Sequence, residues 1–189
     1  IKKENEAVMR VKLPPELQKW VKEYEKVGER SDFIWKWLYR ADKSIVKYFN
    51  FPKKYSRLAL ETMFILNMFI ILLDEASERK ATNHPLIKEL LKIPFDEKCV
   101  NFSSLSKEDR KYLKFTEKVW HRIEKMLGDY PYYEKMKKIC HYDIHQLLNN
   151  ARYCFLIYNN PSLVNETEYW MYVPQNMQFM FAFDFYLMC

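Results

Sequence analysis

Three carboxylates close the most apolar stretch of this sequence. Asp74, Glu75 and Glu78 follow the run from Met63 to Leu73, eleven residues in which Asn67 alone is polar. On a helix, Asp74 and Glu78 stand i,i+4 on one face with Glu75 beside them. Clustered carboxylates without histidine or thiolate partners suit Mg²⁺, a hard cation that keeps several waters and is commonly shared with substrate phosphates. Their position is electrostatically unfavourable, because a helix C-terminus carries partial negative charge. A divalent cation would offset that; a helix end emerging into water is the plainer explanation. In steps of three and four toward the N-terminus, the same face carries Ile71 (or Ile70), Asn67 and Met63. The carboxylates should therefore cap a mostly apolar wall.

Other chemistry-bearing residues form weaker patterns. His141 and His145 are i,i+4, a spacing that holds metals, with Cys140 and Asp143 close by. No Glu-x-x-His or His-Glu-x-x-His accompanies them, so they read as ordinary helix histidines. The four cysteines, Cys99, Cys140, Cys154 and Cys189, show no Cys-x-x-Cys spacing and read as free thiols of a reducing compartment.

The elements that position these groups are expected to be helices. Of 189 residues, 49% are hydrophobic and 17% aromatic, enough for one domain, 1–189, with its own core. Two glycines, Gly28 and Gly128, leave little for hairpin turns or a phosphate-cradling loop. Pro14-Pro15 opens a helix over 16–27, ended by Gly28; residues 1–12 read as a polar lead-in. Ser31-Asp32 caps a helix over 33–49 whose stripe of Phe33, Trp37, Ala41, Ile45 and Tyr48 reads as core. The central helix spans 55–79, apolar all round and so buried on most of its circumference. A short helix follows over 86–91, then a loop offering Ser103, Ser104 and Ser106 as caps. Helices over 107–127 and 132–158 come next. A last stretch from Asn165 is interrupted by Pro174, which kinks a helix and frees a carbonyl. Short loops suit an antiparallel bundle.

The net charge of +6 lies mostly on lysines at helical spacing and reads as solvated faces. It would also favour an anionic ligand such as a diphosphate. Nucleic-acid binding fits poorly, because no dense basic stretch is interleaved with aromatics. The apolar run is shorter than the ~20 residues of a membrane span. A charged N-terminal stretch without a signal peptide adds to an expectation of a cytoplasmic protein.

The segment ending in DEASE resembles the aspartate-rich helix of class I terpene synthases, an apolar run followed by DDxxD or a variant. FIWKWLYRADKSIVKYF before it, EKVWHRIEKMLGDYPYYEKM after it and NNPSLVNETEYWMYVPQNMQFMFAFD near the end look like successive core helices of that family, across most of residues 33–189. The resemblance implies an all-α bundle around an apolar central cavity. It implies Mg²⁺ held by Asp74, Glu75 and Glu78, gripping the diphosphate of a prenyl substrate. Metal-triggered ionisation would release diphosphate and leave an allylic carbocation for the cavity to fold. Asn67, Ile70 and Ile71 would line that cavity, with Tyr172 and Asn176, flanking Pro174, facing them. No catalytic residue beyond the metal ligands is implied.

The sequence departs from the family at several points. Glu replaces Asp at the second and fifth motif positions. The family's second metal motif, Asn or Asp followed at +4 by Ser or Thr and at +8 by Glu, is absent. Asn149 and Asn150 are followed by Tyr153 and Cys154, and Asn165 by Tyr169. In the family that motif lies downstream of the segment that ends here, so the chain is expected to be truncated or never to have carried it. No arginine stands near Val173, where a diphosphate-sensing one is expected; Arg152 is the nearest substitute. The alternatives are a non-catalytic protein of the same fold that binds an isoprenoid or a protein partner, and a chain-elongating prenyltransferase, which normally has two aspartate-rich motifs. A homodimer is compatible with each.

Overall fold

The computed structural model describes residues 2–48, 52–79, 84–95, 104–163, 165–167 and 170. Among them the protein is all-helical, with no strand. The α-helices are α1 (Lys2–Met9), α2 (Pro15–Tyr24), α3 (Asp32–Tyr48), α4 (Lys53–Arg79), α5 (His84–Leu90), α6 (Lys107–Leu127) and α7 (Tyr133–Asn159). Local chemistry accounts for several boundaries. Pro15 stands in the first turn of α2, where its fixed φ and missing N–H carry no penalty. Ser106 caps α6: its Oγ accepts from the Asp109 N–H at 3.0 Å and donates to the Asp109 carboxylate at 2.8 Å.

The central helix of the sequence is the central helix of the fold. α4 packs against α3, α6 and α7. An unbroken buried run from Thr62 to Phe69, with Leu72, Leu73 and Ala76 beyond it, forms the middle of the core. Paired contacts fix the helix directions. Arg30 meets Asp74 while Asp42 meets Asn67, so α3 and α4 are antiparallel. Leu72 meets Tyr112 while Thr62 meets Tyr130, so α4 and α6 are antiparallel too. α2 departs from that rule. Glu16 meets Arg57 and Tyr24 meets Glu75, so α2 runs parallel to α4.

Three expectations are corrected here. Residues 2–9, read as a polar lead-in, form α1. Val8 is its buried anchor, set against α3, and one apolar contact leaves no periodic signal. The stripe on α3 read as core faces outward at its largest residues: Trp37 is 47% exposed and Tyr48 83%. The buried positions are Trp35, Leu38 and Asp42. The helix carries two aromatic stripes, and a carboxylate on the inward one disguised it. Finally, the apolar run, read as shorter than a membrane span, sits within a longer apolar stretch of α4. By length and composition Lys53–Ala76 could cross a bilayer, but most of that surface is buried against neighbouring helices. The Pro174 break, with Tyr172 and Asn176, lies outside the described residues.

Candidate functional site

Near the acidic end of α4 a pocket of about 460 Å³ is lined by α3 and α4. That lies within the ~300–1,000 Å³ typical of small-molecule sites. α3 contributes Phe33, Ile34 and Leu38 to its wall; α4 contributes Asn67, Ile70 and Ile71. Asp74 and the α2–α3 turn, through Arg30 and Ser31, complete the lining. Asn67, Ile70, Ile71 and Asp74 therefore come together as their helical spacing required.

The mouth and the floor are polar in different ways. At the mouth, the Arg30 Nη2 donates to the Asp74 Oδ2 at 3.1 Å, with side chains 31% and 49% exposed. At the floor, the Asn67 amide donates from Nδ2 to both Asp42 oxygens, at 3.2 and 3.3 Å. Asp42 is buried, and that burial pushes its carboxyl up to about 7, against a smaller opposing pull from the Asn67 hydrogen bond. In its ionised form the carboxylate only accepts, which suits the Asn67 Nδ2 that faces it.

Glu75 does not join Asp74. Successive helical residues point about 100° apart, and Glu75 turns inward, 2% exposed. The Tyr24 hydroxyl donates to its Oε2 at 2.8 Å, and the Glu29 N–H donates to its Oε1 at 2.8 Å. The same Tyr24 oxygen accepts from the Arg30 N–H at 3.0 Å. Burial raises the Tyr24 hydroxyl well above its usual range, with the Glu75 carboxylate adding to the effect, so the phenol keeps the proton it donates. Tyr112 is raised mainly by burial as well and donates to the Leu72 carbonyl at 2.5 Å. Gly28 lies under the Tyr24 ring: a Cβ there would overlap the ring's Cζ and hydroxyl end. Glycine is needed at that position for close approach, not for an unusual φ.

The remaining expected residues fall elsewhere. The side chains of Glu78 and Arg152, and all of Tyr172 and Asn176, lie outside the described residues. On α7, Cys140 is buried, which pushes its thiol up to about 11 and makes it a poor nucleophile and ligand near neutral pH. His145 is exposed. Among the described residues no group of three or more His, Cys, Asp or Glu side chains is placed to hold a metal. Asp74 alone suits a shared site, because Mg²⁺ commonly uses one or two carboxylates plus substrate phosphates and water. Arg30 was missed in the sequence. Nothing local marks it; the antiparallel pairing of α3 with α4 brings it to the acidic helix end.

No family model, no curated protein and no solved structure matches this chain.

Proposed function

We propose that the protein is class I terpene synthase-like and takes a prenyl diphosphate into the α3–α4 pocket. The observation that carries this reading is the polarity of the slot, with an apolar wall below a mouth that holds Arg30 and Asp74. Ile34, Leu38, Ile70 and Ile71 would cover the hydrocarbon, each buried methylene contributing about 0.8 kcal/mol. The Arg30 guanidinium, a planar donor fork suited to phosphate oxygens, would engage the diphosphate. Asp74, with Glu78 one turn further along the same helix, would hold Mg²⁺. That ion, when bound, supplies charge stabilisation to the leaving diphosphate. Phe33, which lines the pocket, would stand near developing positive charge, and the aliphatic wall would help to keep water from it.

A second reading, isoprenoid binding without turnover, is favoured by one feature. Glu75 is engaged with the α2–α3 turn, which leaves Asp74 as the described carboxylate that lines the pocket. Titration with geranyl and farnesyl diphosphate, with and without Mg²⁺, followed by product analysis, separates the readings. Saturable binding with hydrocarbon or alcohol products supports the enzyme, and binding without products supports the carrier. Absence of saturable binding to either diphosphate contradicts both.

A further inference from the structure

The acidic end of α4 contains a carboxylate whose partners are not those of a metal ligand. Glu75 is buried, and its two oxygens receive the Tyr24 hydroxyl and the Glu29 N–H, each at 2.8 Å. Both donors belong to one connection, the chain that leaves α2 and enters α3. The Tyr24 oxygen then accepts the Arg30 N–H at 3.0 Å, so the backbone of the arginine is tied through one phenol to the carboxylate. The Arg30 side chain is left at the pocket mouth beside Asp74. Gly28 keeps the phenol in place, because any larger residue would strike the Tyr24 ring.

We propose that Glu75 is a positioning residue, whose buried carboxylate holds the α2–α3 turn so that Arg30 stands over the pocket as a metal-independent anion site for a phosphate or diphosphate head. The physical reason is order. An arginine on an unanchored turn would lose side-chain and backbone freedom on binding an anion, whereas a turn tied by three hydrogen bonds has already lost much of it. A diphosphate offers Arg30 more negative charge than the single Asp74 carboxylate, so a head entering the mouth competes with Asp74 for the guanidinium. This inference rests on the prenyl diphosphate reading for its occupant, but the anion site itself does not require a prenyl chain.

The test is calorimetric titration of the full chain in EDTA, with inorganic diphosphate, geranyl diphosphate and geraniol as separate probes. Wild type is expected to bind both diphosphates without metal. Arg30→Gln should abolish that binding. Tyr24→Phe, which removes the link between Glu75 and the Arg30 backbone, should weaken it roughly three- to tenfold, the loss of one or two hydrogen bonds' worth of positioning. Geraniol binding should be unchanged in Tyr24→Phe, which a general loss of structure would not spare. Glu75→Gln keeps one acceptor of the two and should fall between wild type and Tyr24→Phe, whereas Glu75→Ala, which loses both, should fall at least as far as Tyr24→Phe. Where Glu75→Ala does not fold, Tyr24→Phe and Glu75→Gln decide. Equal diphosphate affinity in wild type and Tyr24→Phe overturns the inference. So does a Glu75→Gln defect that appears only when Mg²⁺ is present, because that marks a metal ligand. Wild type that binds inorganic diphosphate but not geranyl diphosphate leaves the anion site standing and overturns the prenyl reading. Wild type that binds neither overturns both.

Discussion

The two faces of α4 differ in what they leave unfilled. Toward α6, large rings meet backbone and each other. Phe69 lies 5.1 Å from Trp120 between ring centroids, Tyr112 donates to the Leu72 carbonyl, and the Tyr130 hydroxyl donates to the Thr62 Oγ1 at 3.0 Å. Toward α3, the same helix presents Ile70 and Ile71 half-buried against an open slot, with a buried carboxylate at one end and an ion pair at the other. One face contributes stability through close packing. The other retains space and a buried carboxyl group, features that cost stability and that a binding site can use.

The contrast is sharpest in paired truncations. Phe69→Ala on the packed face should cost about 3–5 kcal/mol in denaturant unfolding. A loss below about 1 kcal/mol would show that this face is no tighter than the other. On the pocket face, the buried Asp42 gives a pH signature. Burial holds its folded carboxyl near 7, well above the ordinary aspartate range. The folded state therefore binds the proton more tightly, and the contribution of this group is fully present below pH 4 and lost as pH rises through about 7. Asp42→Asn should flatten that slope and raise stability at pH 8 by on the order of 1–3 kcal/mol, read from Tm across pH. An unchanged slope would place the proton elsewhere. Gly28→Ala should cost about 1–3 kcal/mol by forcing the buried Tyr24 ring aside. The smallest effect belongs to Ile71→Ala, which enlarges a space already open and should cost under about 1 kcal/mol while weakening prenyl binding. A cost equal to that of Phe69→Ala would remove the difference between the faces.

Much of this architecture was legible because α4 is apolar on nearly every side, and because prolines, glycines and Ser106 punctuate the helices on either side of it. Its i,i+3 and i,i+4 pattern also placed Asn67, Ile70, Ile71 and Asp74 on one surface. What failed was whatever depended on the neighbour. α3 carries two aromatic stripes, and local pattern selected the one containing Trp37 and Tyr48, while contact with α4 selected the one containing Trp35 and Asp42. Asp74 and Glu75 are adjacent in sequence and alike in chemistry, yet one stands at a pocket mouth and the other under Tyr24. The donors that separate them, the Tyr24 hydroxyl and the Glu29 N–H, lie 51 and 46 residues away in the chain. Arg30 reached the site by the same long-range route.

The central claim, that the α3 face of α4 is a prenyl diphosphate site, is tested most directly by a crystal structure of the full chain with Mg²⁺ and a non-hydrolysable farnesyl diphosphate analogue. The account predicts the hydrocarbon between Leu38 and Ile71, with the diphosphate within hydrogen-bonding distance of Arg30. An analogue bound elsewhere, with the Arg30–Asp74 pair intact and the slot empty, would contradict it.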